Sequence, residues 1–416
     1  MKRLLSYLAS ALLVLSAGAE AREVVIGYVP TWRDKLIEPS NFNFDVFTHL
    51  NRAFLRPNDD GTLKIEDNYF NPAFEQAARQ HGVKLLMSVG GEAKNPDRWL
   101  AMARDPAHVQ KFLETLDTLF REHQYDGVDI DWEPPPRSAE EGQVYLALLK
   151  SIRQRFPDKL LTVALSPKNY AVKYLPLPEV MATIDYFNAM AYDFSGPWTG
   201  TATFSSNLNV NDAAHTQTST AELISNLINT HNVPANKLVM GMSFWAYRFR
   251  VDHLGESFPK RVKGMADFID YSQVQDLLTT GRYTLHRDET ADAAYLTRND
   301  GGCVVTFDDP QSIRDKTAFA QKMGCAGVMM WNAGADYSAG TTPLLDAIAR
   351  QLDRPTFTSQ AALQQETTLL NHNPLPTTAP AEVTALNQQL RQARGIAIDN
   401  EWVATAPPTT APATQP

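Results

Sequence analysis

The sequence predicts an α/β protein, a TIM (β/α)8 barrel with a small α+β insertion after strand 7. Strand-like segments alternate with helix-like segments along the chain, which is the pattern of a parallel sheet. Eight such strands occur, and the chain has 416 residues, 44% of them hydrophobic. That length is enough for a barrel of about 250 residues with additions. The expected strands are residues 24–29, 46–54, 84–89, 127–133, 161–166, 184–192, 237–244 and 326–331.

Helical periodicity between the third and fourth strands supports this alternation. Apolar residues recur there at helical spacing and form one stripe, which we expect to pack against the barrel. The stripe consists of Val109, Phe112, Leu113, Leu116, Leu119 and Phe120. After the fourth strand, Ser138 and Glu141 form a capping-box pattern, which predicts a helix from there to about Arg155.

Residues 22–245 and 301–354 form the predicted barrel, and the chain between them forms the predicted insertion. Residues 246–300 are far longer than the usual loop of about two to six residues, and they contain strand-like and helix-like pieces of their own. From residue 355 to residue 416 the composition changes to Thr, Pro, Ala and Gln. Because this segment has little apolar mass for a core, we expect a disordered tail rather than a carbohydrate-binding module.

The first 21 residues have the order of a secretory signal. Lys2 and Arg3 precede an apolar stretch from Leu4 to Leu15, and small residues follow it. This order predicts a cleavable signal peptide at residues 1–21 and therefore a secreted or periplasmic protein. No later segment approaches the length of a membrane span.

The most informative segment is Asp126–Glu133, in which acidic and apolar residues alternate strictly from position 128 onward. In a strand, Asp129, Asp131 and Glu133 share one face, while Val, Ile and Trp share the other. Unpaired charges in a closed interior cost on the order of several kcal/mol each. Stability alone therefore gives no reason for this column of carboxylates, whereas catalysis does.

The residues around this column place it at an active site. Three prolines follow Glu133 and cannot continue a hydrogen-bonded strand, so this acid stands at the strand's carboxyl end. Catalytic residues of parallel barrels collect at that end. A solvated acidic edge is the first alternative, but apolar residues back the acids. A calcium loop is the second, but it would need a turn glycine and flexible spacing.

Composition narrows the function class further. The formal net charge of −9 argues against a nucleic-acid partner. The nine His residues show no His-Glu-x-x-His pattern, and neither cysteine belongs to a Cys/His cluster, so we expect no metal and no cofactor. Cys303 and Cys325 are the only cysteines. Whether they form a disulfide stays open at this point, because spacing does not show that their side chains meet.

The pattern Asp-x-x-Asp-x-Asp-x-Glu at positions 126 to 133 resembles the signature of family 18 glycoside hydrolases, the chitinase family. Other barrel strands carry further similar segments in the same order, so the resemblance covers about residues 24 to 350. These segments are Ile26-Gly27-Tyr28, Thr48-His49-Leu50-Asn51 with Ala53-Phe54, Ser88-Val89-Gly90-Gly91, Met190-Ala191-Tyr192-Asp193 and Gly327-Val328-Met329-Met330-Trp331.

The resemblance implies a retaining, substrate-assisted glycosidase, in which the N-acetyl carbonyl of the substrate attacks the anomeric carbon. By this resemblance Glu133 is the general acid and then the base. Asp131 binds the acetamide N–H and stabilises the oxazolinium intermediate, and Asp129 shares a proton with Asp131. Tyr192 donates its hydroxyl to the acetamide oxygen.

The same resemblance implies a substrate-binding set around these catalytic residues. Trp331 would form the apolar floor under the reacting sugar, Tyr28 and Met190 would fill the wall, and Asp193 would lie beside Tyr192. Trp198 would stack on a neighbouring sugar. Asp126 has the opposite parity to the other acids and is assigned a supporting role.

Four positions depart from the family pattern and bear on the substrate range. Arg52 and Pro134 stand where Tyr is common, Glu92 stands where Trp is common, and Ser195 stands where His is frequent. The implied substrate is a β-1,4-linked N-acetylglucosamine polymer or oligomer, that is, chitin or chito-oligosaccharides. The alternatives are a glycosidase of N-glycan cores or bacterial cell-wall glycans and, third, a non-catalytic chitin-binding protein. Separately, we expect the protein to be a monomer.

Overall fold

The structure is a computed structural model that describes residues 23–35, 37–92, 97–167 and 171–357. The predicted signal peptide at residues 1–21 lies outside the described residues. The same holds for the predicted tail, apart from residues 355–357. Within the described ranges, no helix combines the length and the apolar character that crossing a membrane requires.

The described residues form fourteen strands and nine α-helices. In chain order the strands are β1 (Val24–Pro30), β2 (His49–Pro57), β3 (Leu63–Lys64), β4 (Lys84–Gly91), β5 (Gly127–Trp132), β6 (Leu160–Leu165), β7 (Tyr186–Ala189), β8 (Leu238–Ser243), β9 (Trp245–Phe249), β10 (Ala266–Asp270), β11 (Tyr283–Asp288), β12 (Ala293–Arg298), β13 (Val304–Phe307) and β14 (Gly327–Trp331). The helices are α1 (Pro72–Gln80), α2 (Arg98–Ala103), α3 (Pro106–His123), α4 (Ala139–Arg155), α5 (Leu177–Thr183), α6 (Thr220–Asn229), α7 (Tyr271–Thr279), α8 (Pro310–Lys322) and α9 (Pro343–Gln351).

Eight parallel strands close into a barrel, which confirms the predicted fold class. The order around the barrel is β1, β2, β4, β5, β6, β7, β8 and β14, and β1 pairs with both β2 and β14. Two barrel strands differ most from the predicted bounds. Strand β2 has the predicted length but begins later, at His49, because Phe44–Val46 forms a 3-10 turn. Strand β7 is shorter than predicted and ends at Ala189, and Asp193 beyond it has a left-handed backbone with φ of 62°.

The helices cover the outside of the barrel through apolar faces. The predicted stripe lies on α3, where every member except the half-buried Val109 is fully buried. Burying one large apolar side chain contributes about 1.5–3 kcal/mol, so this stripe is a major anchor of α3. At the start of α4, Ser138 Oγ accepts a hydrogen bond from the backbone N–H of Glu141 at 3.2 Å, as the capping pattern predicts.

The insertion is a five-stranded antiparallel sheet with the order β10-β9-β13-β12-β11, together with α7. Strand β9 starts at Trp245, and β13 lies beyond residue 300, so the predicted bounds of 246–300 are too narrow. Gly301 and Gly302, with φ of 85° and 71°, lie in the turn between β12 and β13. Because this turn joins two paired strands of one sheet, the insertion continues past residue 300.

The question of the two cysteines is answered by the structure. Cys303 is buried next to β13 and Cys325 is half-buried before β14, and both are free thiols. Burial raises the pKa of the Cys325 thiol to about 11. Among the described residues, no group of three or more His, Cys, Asp or Glu side chains is placed to hold a metal ion.

Candidate active site

Strand β5 separates its acidic and apolar side chains as the alternation predicts. Trp132 faces outward and stacks on Trp99 of α2, with ring centroids 5.0 Å apart and an interplanar angle of 9°. Asp129 and Asp131 face the barrel interior, where both are buried. Glu133 directly follows the last residue of β5, at its carboxyl end.

Asp129 lies at the bottom of the acidic column and is held by four side-chain donors from four other strands. Its Oδ1 accepts hydrogen bonds from Thr162 Oγ1 at 2.6 Å and from Asn188 Nδ2 at 3.0 Å. Its Oδ2 accepts from Ser88 Oγ at 2.7 Å and from the Tyr28 hydroxyl at 3.0 Å. Burial raises the pKa of Asp129, and these hydrogen bonds oppose that rise.

Asp131, the next acid on the same face, has fewer partners. Its Oδ1 is buried and has no hydrogen-bond partner within the part of the chain that the structure describes. Burial, then the charge of Glu133 and then that of Asp129, raise the pKa of Asp131 well above its ordinary value, and Arg56 opposes them. Asp131 and Glu133 are therefore a coupled pair that does not ionise independently.

A pocket of about 360 Å³ opens above this pair. It lies at the carboxyl end of the barrel, because its lining comes from the ends of strands and from the segments that follow them. The predicted site residues that line it are Tyr28, Asp131, Glu133, Met190, Tyr192, Asp193 and Trp331. Residues that the sequence did not assign to the site line it as well: Trp32, Phe54, Arg56, Trp245, Tyr247 and Phe268.

Aromatic rings form the floor and the rim of the pocket. Trp331 stacks on Phe54 with ring centroids 5.4 Å apart, and Tyr28 packs against Trp331 at 5.9 Å. At the rim, 56% of the Trp32 surface and 47% of the Phe268 surface are exposed. Both rings line the pocket, where they offer flat apolar faces on which a sugar ring could stack.

Tyr192 and Asp193 form one wall together with the insertion. Burial first, and then the charge of Asp193, raise the pKa of Tyr192 well above its ordinary value, so its hydroxyl remains a hydrogen-bond donor. That hydroxyl contacts Met329 Sδ at 3.9 Å, which is a weak acceptor. From strand β9 of the insertion, the Tyr247 hydroxyl donates to Asp193 Oδ1 at 3.0 Å. The insertion thus reaches the catalytic wall directly.

Trp198 does not line the pocket in this structure. Its ring lies over Gly196, where a Cβ would come within 2.5 Å of it, and it meets Tyr247 edge-on at 5.8 Å. Trp198 therefore packs against Tyr247 and remains half-buried. Asp126 has the expected supporting role, since its Oδ2 accepts a hydrogen bond from the backbone N–H of Leu85 at 2.8 Å.

Of the four positions that depart from the family pattern, Glu92 lines the pocket and Pro134 follows Glu133 directly. Ser195 is buried in a turn, where its hydroxyl bonds to the Thr201 carbonyl at 3.2 Å. Arg52 is buried outside the pocket and binds both carboxylate oxygens of Asp34, at 2.6 and 2.5 Å. Arg52 thus anchors the segment after β1.

Buried carboxylates under an aromatic pocket at the carboxyl end of a parallel barrel form a candidate enzyme site. The family model for glycosyl hydrolases family 18 matches residues 24–336. The chain therefore belongs to glycosyl hydrolases family 18, and it is a glycoside hydrolase.

Relatives and solved structures agree with this assignment. A class V chitinase of Arabidopsis thaliana is 28% identical over 349 residues, which cover 77% of this chain and 88% of the relative. Endochitinase 1 of Metarhizium robertsii is 25% identical over 360 residues, which cover 77% of this chain and 82% of the relative.

Two similar structures contain bound molecules. The Ostrinia furnacalis group IV chitinase in complex with allosamidin has a TM-score of 0.71 and 25% identity, and the match covers 80% of this chain and 99% of that chain. A glutamate-to-glutamine mutant of the class V chitinase from Nicotiana tobaccum in complex with NAG4 has a TM-score of 0.70 and 25% identity, with 79% and 99% covered.

Proposed function

We propose that this glycoside hydrolase cleaves β-1,4-linked N-acetylglucosamine polymers or oligomers, that is, chitin or chito-oligosaccharides, by a retaining, substrate-assisted mechanism. The observation that carries the proposal is the coupled pair Asp131 and Glu133 beneath the aromatic pocket, with the Tyr192 hydroxyl beside it. The chitinases among the relatives and the NAG4 bound by a similar structure support the choice of substrate.

In the first step Glu133 protonates the glycosidic oxygen, and the acetamide carbonyl oxygen of the same sugar attacks the anomeric carbon. The glycosidic bond breaks and an oxazolinium ion forms. Asp131, which lines the pocket, supplies the carboxylate acceptor for the acetamide N–H. Tyr192 donates to the acetamide oxygen and holds it in line for attack. Glu133 then removes a proton from a water molecule, which attacks the anomeric carbon and opens the oxazolinium ring.

The column below the pocket holds a proton that the two lower acids share. Asp129 and Asp131 are both buried, so ionising both at once is costly. As positive charge develops on the acetamide nitrogen, an ionised Asp131 stabilises it, and the shared proton belongs on Asp129. Three of the four groups bound to Asp129 are hydroxyls, which can accept as well as donate, so the network tolerates that proton.

A defined oligosaccharide series tests the substrate assignment. We expect the wild-type protein to cleave N-acetylglucosamine oligomers that are four, five or six units long. The fully deacetylated series should stay intact, because an amine has no carbonyl oxygen to act as nucleophile. Chromatography with mass spectrometry of the products measures both. Cleavage of N-glycan cores or bacterial wall glycans, with the N-acetylglucosamine series left intact, would transfer the activity to the alternative substrates.

Export and a monomeric state belong to the same proposal. The order of charged, apolar and small residues in the first 21 residues supports export. N-terminal sequencing of the mature protein and light scattering in solution check these two points, and a retained Met1 or a stable dimer would contradict them.

A further inference from the structure

The pocket carries more negative charge than the proposed chemistry uses. Four carboxyl groups line it, those of Glu92, Asp131, Glu133 and Asp193, whereas Arg56 is the one basic side chain among its described lining residues. Asp131 and Glu133 act in the reaction, and Asp193 accepts the hydrogen bond from the insertion. Glu92 has no role in the mechanism.

Glu92 follows the last residue of β4, and its side chain is exposed at the pocket. No described residue donates a hydrogen bond to its carboxylate or forms an ion pair with it. Arg56 lies near Glu92, but its guanidinium binds backbone carbonyls and not the Glu92 carboxylate. Its Nη1 donates to the backbone carbonyls of Gly90 at 3.2 Å and Glu92 at 3.1 Å, and its guanidinium lies over the Phe54 ring.

Residues of the insertion line the pocket together with Glu92. Burial first, then the charge and hydrogen bond of Asp193, and to a smaller extent the charge of Glu92, raise the pKa of Tyr247 above its ordinary value. Glu92 lines the same pocket as Tyr247 and Phe268 of the insertion, so its carboxylate and these rings share one cavity. The exposed ring of Phe268 packs against Tyr247 edge-on at 6.4 Å.

A carboxylate that shares a cavity with aromatic rings favours a cation, through direct charge attraction and through the faces of the rings. Among amino sugars, the cationic unit is glucosamine, whose free amine is protonated at neutral pH. The reacting unit itself must keep its acetyl group, because the acetamide is the nucleophile. The cationic unit therefore has to be a neighbour of the reacting one.

We propose that Glu92 makes this enzyme selective for partly deacetylated chains, by binding the ammonium group of a glucosamine unit next to the N-acetylglucosamine unit that reacts. This inference rests on the proposed function, and it names the substrate class as a copolymer of N-acetylglucosamine and glucosamine.

Digestion of a randomly deacetylated chitosan, with sequencing of the products by mass spectrometry, tests the inference. For wild type, we expect glucosamine to be enriched about two- to fivefold over the polymer average at a unit adjacent to the reacting one. Glu92→Gln should abolish the enrichment and Glu92→Lys should turn it into depletion. High salt should weaken the enrichment in wild type. Because enrichment is a ratio within one digest, a change in overall rate does not affect it.

Glu122→Gln is the matched control, because Glu122 is an exposed carboxylate on α3 outside the pocket. It should keep the wild-type enrichment. Equal enrichment in all four proteins, or none in wild type, would overturn the role of Glu92. The new reducing ends separate the two proposals. Ends that are N-acetylglucosamine without neighbour selection refute only this inference, whereas ends of random composition refute the substrate-assisted mechanism.

Discussion

Replacing Glu133 by Gln is expected to lower kcat by about 100- to 10,000-fold, the range for loss of a general acid. The amide has nearly the same shape as the carboxyl group but cannot protonate the glycosidic oxygen. Glu133 lies after β5 rather than in the buried core, so the fold should be retained. Initial rates on an N-acetylglucosamine oligomer, with calorimetric binding of the same oligomer, measure the two effects separately.

Glu122→Gln is again the control for this experiment, since it makes the same chemical change on the outer face of α3. It should retain wild-type kcat. The role of Glu133 would be refuted by a near-normal rate of the Glu133→Gln protein. Loss of oligomer binding together with loss of the circular dichroism signal would instead indicate unfolding, and Glu133→Asp would then separate chemistry from stability.

Replacing Asp131 by Asn is expected to lower kcat by about 100- to 1,000-fold, comparable with the loss of one group that stabilises transition-state charge. Asn still offers an oxygen to the acetamide N–H, so the loss arises mainly from the missing negative charge. In the wild-type protein, Asp131 is buried and interacts with Glu133 and Asp129. Single-turnover rates on a chromogenic N-acetylglucosamine oligomer measure the change.

The same substitution should move the alkaline limb of the pH–rate profile to lower pH. Two neighbouring carboxyl groups each disfavour ionisation of the other, so a negative Asp131 helps Glu133 keep its proton. Glu133 acts as an acid only while protonated. Without the neighbouring charge it therefore loses its proton, and the enzyme its activity, at a lower pH. Asp126→Asn should leave the profile in place, because the Asp126 side chain does not line the pocket and accepts a hydrogen bond from the backbone N–H of Leu85. An unshifted or alkaline-shifted limb for Asp131→Asn would contradict the coupling.

The acidic column was predictable because its signal is local. The alternation in β5 places Asp129 and Asp131 inward through the two-residue period of a strand, and the prolines place Glu133 at its end. The same reasoning could have found Asn188, which precedes Met190 by two residues, and Ser88, which lies beside Asp129 in the barrel register. Thr162 likewise lies in register with Asp129 on β6.

The residues through which the insertion reaches the pocket were not predicted from the sequence. Tyr247 and Phe268 lie on β9 and β10, and they reach the pocket only because the antiparallel sheet packs beside the barrel. Trp245, Tyr247 and Phe249 alternate along β9 and so indicate one face of a strand, but the sequence does not indicate that this face borders the barrel. The direction of Trp198 was not predictable either, and its stacking on a neighbouring sugar stays a prediction. An aromatic residue in a loop can face a substrate or a neighbouring ring. In this structure the Trp198 ring lies over Gly196.

The central claim is that the substrate's acetamide is the nucleophile, and the anomeric form of the first product tests it most directly. Proton NMR during the first minutes of hydrolysis of an N-acetylglucosamine oligomer distinguishes the two anomers before they interconvert. Attack by the acetamide and then by water inverts the anomeric carbon twice, so the account predicts the β-anomer first. If the α-anomer appears first, water attacks directly, and the roles assigned to Asp131 and Tyr192 are wrong.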